Sequence, residues 1–316
     1  MSRRTGFTLA VAAAALLVAA PSALATYPGH NGLIAFHSAT SGGSQIFTVR
    51  PNGQDLRQLT HVDGDAVSVD WSPDGRLLAF EIDTEDGASV AIMNADGSNL
   101  RVLPHPDGVA DVDPSFTPDG RRLVVVVVDL TADTDTTWTM NLDGSDRRLL
   151  LPRSVEDPNL SPDGRSLAFL GFDGTPPGAL MTTSIPANQV RQLTPFSFDV
   201  GSKLDWSPDG RRLGFIHNAN FAIPGASANI ATIARDGTDL RFVTHYSGGE
   251  TNAFFGSYSP DGRWIVFRLE DHGRYGLYKM RPDGSHLKAI LPLSGFAPRF
   301  IDWGARATDP DEDGDD

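Results

Sequence analysis

The stretch Trp71-Ser72-Pro73-Asp74-Gly75-Arg76 decides the fold of this chain. Its core recurs as Phe116-Thr117-Pro118-Asp119-Gly120, Leu160-Ser161-Pro162-Asp163-Gly164, Trp206-Ser207-Pro208-Asp209-Gly210 and Tyr258-Ser259-Pro260-Asp261-Gly262. The aspartates at 74, 119, 163, 209 and 261 are spaced by 45, 44, 46 and 52 residues. A period in this range marks a repeat architecture. Pro presets φ for the first corner of a tight turn, Asp bonds back to the turn's own backbone, and Gly occupies the positive-φ position.

An apolar run follows each turn: Leu77-Leu78-Ala79-Phe80, Leu123 to Val128, Leu167-Ala168-Phe169-Leu170, Leu213-Gly214-Phe215-Ile216 and Trp264-Ile265-Val266-Phe267. Such runs read as strands buried on both faces. Before the first turn, Val67, Val69 and Trp71 alternate with Ser68 and Asp70, which is strand period. Between the copies lies a second signature, Pro51-Asn52-Gly53, Asp96-Gly97, Asp143-Gly144, Asp236-Gly237 and Asp283-Gly284. Asn-Gly and Asp-Gly are strong hairpin signals. Each introduces a short strand such as Leu100-Arg101-Val102-Leu103, so the unit is four antiparallel strands. A degenerate copy, Ser184-Ile185-Pro186-Ala187-Asn188, lacks the turn glycine and predicts a locally different hairpin.

The first apolar strand, Leu33-Ile34-Ala35-Phe36, has no partner before it, whereas Arg299-Phe300-Ile301-Asp302-Trp303-Gly304 at the far end repeats the pattern that precedes each turn. The last strand is therefore expected to complete the first sheet. Gly32 to Gly304 spans 273 residues, about 45 for each of six units. The fold class is all-β: a six-bladed β-propeller of four-stranded antiparallel blades whose first blade is closed by the C-terminal strand, which removes exposed sheet edges. An open solenoid would not account for the split first blade. The large residues Trp71, Phe116, Leu160, Trp206, Tyr258 and Trp303 are expected to wedge between neighbouring blades.

At these turns the chain resembles the TolB-type propeller repeats, over about 270 residues. The resemblance implies the six-bladed fold and, by analogy with a periplasmic protein of the Tol–Pal envelope system, binding of protein partners. The α/β domain that precedes the propeller in TolB is not expected here, since strands begin within a few residues of the leader. Similar repeats serve as the gating half of prolyl-oligopeptidase-like hydrolases and in pectin-fragment lyases, so fold alone does not choose the function.

Arg3-Arg4, the apolar stretch Phe7 to Ala20 and Ala23-Leu24-Ala25 form a charged region, a hydrophobic region and an A-x-A cleavage site. Residues 1–25 read as a signal peptide, 26–304 as the propeller and 305–316 as an acidic disordered tail. An uncleaved membrane anchor is the alternative for the first segment, but its apolar stretch is short for a span. Ser2-Arg3-Arg4 with Phe7 also resembles a twin-arginine signal. The expected location is exported, periplasmic or extracellular. The chain has no cysteine, which excludes disulfides and thiol chemistry. Its net charge is −14, or 24 basic against 40 acidic residues once Arg3 and Arg4 are removed, which disfavours nucleic acid. A monomer is expected.

In a ring of this kind the Pro-Asp-Gly and Asp-Gly turns share one face, rich in arginine: Arg76, Arg121, Arg122, Arg165, Arg211, Arg212 and Arg263. The connecting loops share the other, where the candidate binding residues at the channel mouth are Asp65, Asp111, Asp113, Glu156, Asp157, Asp199 and Glu250. Converging carboxylates suit Ca²⁺, which takes six to eight oxygens at about 2.3–2.6 Å, or a basic segment of a protein. The plainer reading of the same residues is a solvated acidic face. No cofactor is required, Ca²⁺ is the candidate ion, and no other metal site is defined. His61, His105 and His245 each follow an outermost strand, which places them at the rim and apart. Lyases of this fold use channel histidines, but these three read as solvated or turn-capping. There is no G-x-S-x-G elbow and no G-x-x-x-x-G-K-[ST] loop. Asp309, Asp311, Asp313 and Gly314 match half of a calcium loop that lacks its closing glutamate. The leading expectation is an exported, non-catalytic propeller that binds a partner, most readily a protein, through its acidic loop face. The alternative is a metal-assisted polysaccharide lyase or hydrolase on the same fold.

Overall fold

The computed structural model describes residues 29–307, apart from 133, 175–176, 187–188 and 222–224. The proposed leader, the acidic run from Asp309 and part of the degenerate turn lie outside the described residues.

Among the described residues the chain forms six four-stranded antiparallel sheets. From the inside outward, blade 1 is Arg299–Ala305, Asn31–Thr40, Gly43–Val49 and Arg57–Gln58, and blade 2 is Asp65–Trp71, Leu77–Thr84, Gly87–Asn94 and Arg101–Val102. Blade 3 is Val109–Phe116, Arg122–Asp129, Thr134–Asn141 and Arg148–Leu151, and blade 4 is Glu156–Leu160, Ser166–Gly171, Ala179–Ser184 and Val190–Gln192. Blade 5 is Asp205–Trp206, Arg212–His217, Asn229–Ala234 and Arg241–Phe242, and blade 6 is Thr251–Tyr258, Ile265–Asp271, Arg274–Met280 and Lys288–Ser294. Blade 1 thus joins the two ends of the described chain, with Ile34 opposite Trp303 and Ala35 opposite Asp302. The closing strand continues to Ala305, one residue past the expected boundary.

The repeated turn folds as its residues dictate. The Ser or Thr hydroxyl donates to the Asp Oδ1 at 2.6 Å in all five copies. The glycine N–H donates back to the carbonyl of that Ser or Thr, as from Gly75 to Ser72 at 2.9 Å. The glycine φ lies at +64° to +67°, a region closed to most side chains. The turn is fastened by its own side chains, so every inner hairpin forms from local sequence.

The core is divided into six apolar clusters, one at each blade boundary. Each contains one of the expected wedge residues: Trp71 between blades 1 and 2, Phe116 between 2 and 3, Leu160 between 3 and 4, Trp206 between 4 and 5, Tyr258 between 5 and 6, and Trp303 between 6 and 1.

A second set of contacts ties the blades at the channel wall. The residue just before each wedge is polar: Asp70, Ser115, Asn159, Asp205, Ser257 and Asp302. Each bonds to the next blade. Asp302 accepts from Trp71 N–H and Asp70 from Phe116 N–H, both at 2.8 Å. Ser115 Oγ donates to Pro158 O at 2.6 Å, and Asn159 Nδ2 donates to Leu204 O at 3.4 Å. Asp205 accepts from Tyr258 N–H at 3.1 Å, and Ser257 Oγ accepts from Trp303 N–H at 2.8 Å. The six bonds make a closed circuit, and Asp302 carries it across the junction of the two chain ends.

Trp206 is fully buried. Trp206→Ala is expected to lower the unfolding free energy by about 3–5 kcal/mol. Urea denaturation followed by circular dichroism measures it, and a loss under about 1 kcal/mol would show that the wedge is dispensable.

Candidate functional site

The inner strands start on the loop side, and in five blades their pairing with the second strand is interrupted by a register shift. Such a bulge re-aims side chains. The residue three positions before the wedge has positive φ in four blades: Ser68 (51°), Asp113 (48°), Asp157 (48°) and Phe300 (46°). A non-glycine residue in that region is uncommon and is held there by its surroundings. At Asp113 and Asp157 the surroundings are visible. Asp113 Oδ1 accepts from Ser68 Oγ at 3.2 Å and its N–H donates to Glu81 Oε2 at 3.1 Å. Asp157 N–H donates to Asp113 Oδ2 at 3.3 Å, and Asp157 Oδ2 accepts from Leu204 N–H at 2.6 Å.

Of the seven candidate carboxylates, the fold brings three together. Asp113 and Asp157 line one small void in the channel with Ser68 and Lys203. Their neighbour Glu156 accepts from Ser202 Oγ at 2.7 Å. The other four are dispersed and engaged elsewhere. Asp65 accepts from Ser44 N–H at 2.5 Å and so caps the loop of blade 1. Asp111 is buried against Arg147, Oδ1 to Nη2 2.5 Å. Asp199 is fully buried and holds Asn220 through its N–H (2.8 Å) and Nδ2 (3.0 Å). Glu250 is exposed and meets His272 at 3.0 Å.

Lys203 was absent from the candidates and is the centre of the channel. It is buried, and it lines a second void with Asp70, Asp205 and Asp302. Burial alone would lower its pKa, but Asp157, Asp302, Asp70 and Asp205 outweigh it and hold the ammonium above the usual lysine range. The carboxylates pay the converse cost. Burial and then Asp302 push Asp70 well up. Burial, followed by the charge of Asp157, raises Asp113 to about 6. Glu81 is raised to about 9, first by burial and then by Asp113. Two causes of a raised carboxyl act together here, low dielectric first and like charge second. The sequence signal was available for three of these residues, since Asp70, Asp205 and Asp302 share one position of the repeat. Lys203 breaks the repeat and carries no such signal.

The histidines remain apart. His61 Nδ1 contacts Gln58 at 3.1 Å, and His105 contacts Ser89 at 3.0 Å. Among the described residues no three of His, Asp and Glu are placed to hold a metal ion. A cleft of about 920 Å³ lies on the turn side between blades 5 and 6, where Pro208, Arg212, Val243, Tyr258, Pro260 and Pro282 line it. Arg212 there is tied to Asp239 at 2.8 Å and to Thr232.

Six four-stranded blades closed at the junction of the chain ends define a six-bladed β-propeller. Residues 22–156 match the family model described as the TolB beta propeller domain. It resembles the crystal structure of TolB from Acinetobacter baumannii with a TM-score of 0.72 and 18% identity, covering 87% of this chain and 67% of that one. By sequence it is similar to the uncharacterized peptidase YuxL of Bacillus subtilis, 29% identical over 197 residues, and to the uncharacterized protein YidR of Escherichia coli, 27% identical over 107 residues. Those matches cover 50% and 34% of this chain and span 29% and 24% of the respective relatives. Among the described residues no helix is long and apolar enough to cross a membrane.

The raised carboxyls fix how stability follows pH. Below about 4.5 Glu81 is protonated in both states; above it the unfolded chain ionises while the folded chain keeps its proton to about 9. The stabilisation by protonated Glu81 is therefore complete below 4.5 and lost as pH rises toward 9. Asp113 acts alike between 3.8 and about 6. The melting temperature of the native sequence is expected to fall between pH 5 and 9, and Glu81→Gln to flatten that fall. Equal slopes in the two proteins would refute the assignment.

Proposed function

We propose that this chain is an exported, non-catalytic propeller that binds a protein partner at the loop-side mouth of its channel. The observation that carries the reading is the division of that mouth by charge. Asp113, Glu156 and Asp157 lie on blades 3 and 4, and Lys203, Arg268 and Arg299 lie at blades 5, 6 and 1. A polypeptide that offers both signs of charge in a fixed order meets such a surface in one orientation, which gives specificity. The closed circuit of blades supplies the rigid frame, and the loops supply variable contacts. The likeness to TolB supports the fold on which the reading rests, and the A-x-A site at Ala25 supports export. The reading requires no cofactor.

A photo-crosslinking residue at Ser202, on the loop side, is expected to capture one defined partner from the envelope or culture fraction, and one at Arg165, on the turn side, is not. Affinity for the captured partner, measured by interferometry, is expected to fall tenfold or more, about 1.4 kcal/mol, with Glu156→Lys and to be unchanged with Arg165→Glu. Equal capture at both positions, or an unchanged affinity with Glu156→Lys, would contradict the reading.

A further inference from the structure

Where blades 5, 6 and 1 meet on the loop side, a cavity of about 160 Å³ opens beside the channel. Lys203, Arg268 and Arg299 line it, with Phe254, Phe300 and Asn220 among its walls, and no carboxylate does. In a chain of net charge −14 this is an unexpected composition.

Arg268 is the informative residue. It is 7% exposed. Its guanidinium lies over the Phe254 ring, 3.9 Å from the centroid, and its Nε has no hydrogen-bond partner among the described residues. Its nearest carboxylate, Glu270, stands at 4.0 Å, the outer limit of an ion pair. Burial, then the charge of Arg299, lowers its pKa to about 10, so it is a cation at neutral pH. Arg299 is exposed, and its side chain forms no hydrogen bond or ion pair among the described residues. The field of the two guanidiniums reaches His37, which stacks on Phe300 at 5.4 Å. Burial, Arg299 and Arg268 together lower the His37 pKa to about 4. Lys203, by contrast, is already balanced by the channel carboxylates.

A buried cation whose one carboxylate stands at the limit of an ion pair, and whose Nε is unpartnered, is incompletely compensated until a second opposite charge joins it. We propose that this pocket binds a carboxylate, with Arg268 and Arg299 as its ligands and Phe254 and Phe300 as its apolar walls. A planar monoanion matches the fork of a guanidinium, whereas a phosphate dianion would have to shed more water between those aromatic rings. The carboxylate is an acidic side chain or the C-terminus of a polypeptide. Its polypeptide origin rests on the reading of the loop face given above; the carboxylate site itself does not.

The test is a chemical-shift titration of the full chain with N-acetyl-glycylglycine, which carries a C-terminal carboxylate, and with N-acetyl-glutamate α-amide, which carries a side-chain carboxylate. N-acetyl-glycylglycinamide is the neutral control. At least one carboxylate is expected to saturate a single site below about 10 mM, and the neutral amide to leave the spectrum unchanged. Whichever acid binds more tightly identifies the source. Arg299→Gln, at an exposed side chain, is expected to weaken binding tenfold or more, and Arg268→Gln to abolish it; if the latter does not fold, Arg299→Gln decides. The proposal is overturned if neither acid saturates, if the amide binds equally, if Arg299→Gln changes nothing, or if inorganic phosphate binds the site more tightly than either acid. Carboxylate binding without any crosslinked partner would count against the protein-partner reading and leave the site standing.

Discussion

A propeller blade cannot stand alone, because its sheet buries both faces only when two neighbours are present. The constraint that governs this molecule is therefore the joint between blades, and it is met in two layers. The apolar layer is the wedge residue in each of the six boundary clusters. The polar layer is the circuit of hydrogen bonds from Asp70, Ser115, Asn159, Asp205, Ser257 and Asp302 to the following blade. The two layers occupy adjacent residues of one strand, so the alternation of a β-strand presents the wedge to the preceding blade and the polar residue before it to the following blade. A substitution that shifted the strand by one residue would exchange them and break both.

That arrangement explains why the channel is acidic without being a free acidic site. Three of the circuit's six members are aspartates, and each uses a carboxylate oxygen to accept a backbone N–H. Their charges cannot disperse into solvent: burial and the charges of Asp302 and Asp205 raise Asp70, and all three carboxylates hold the Lys203 ammonium. Asp113 and Asp157 extend the same logic along blades 3 and 4, each receiving a backbone N–H from the next blade. Carboxylates that hold the ring together are poorly placed to rearrange around a ligand, which shifts attention to groups the ring does not employ.

Legibility in the sequence follows this division. The turns, the wedges and the closing strand were readable because each depends on a few residues close in sequence, repeated at a fixed period: Ser72, Asp74 and Gly75 make their turn without help from elsewhere. The ring aspartates were equally periodic, yet a single Asp70 before a Trp resembles any solvent-facing strand residue until the copies are aligned. Asp111 and Asp199 could not be told from channel carboxylates, since what distinguishes them is Arg147 at 2.5 Å and Asn220 at 2.8 Å, contacts that only the folded chain creates. Lys203, Arg268 and Arg299 were invisible for the opposite reason: they depart from the repeat, and a departure looks like noise until its neighbours are known.

The departures are not scattered. The position three before the wedge reads Ser68, Asp113, Asp157, Lys203, Phe255 and Phe300 around the ring. It is polar or acidic through blades 2 to 4, cationic at blade 5 and aromatic at blades 6 and 1. In five blades this position lies at or beside the register shift of the inner strand, and in blade 5 Lys203 precedes that strand, so side-chain identity is released from the demands of the sheet. The adjoining position, one before the wedge, is held to hydrogen-bonding residues because closure depends on it. One register position therefore maintains the circle while another, two residues away, is free to differ between blades. An assembly of near-identical blades acquires a directional opening in this way: Phe254 covers the Arg268 guanidinium on blade 6, and the acidic residues of blades 3 and 4 lie across the channel from it.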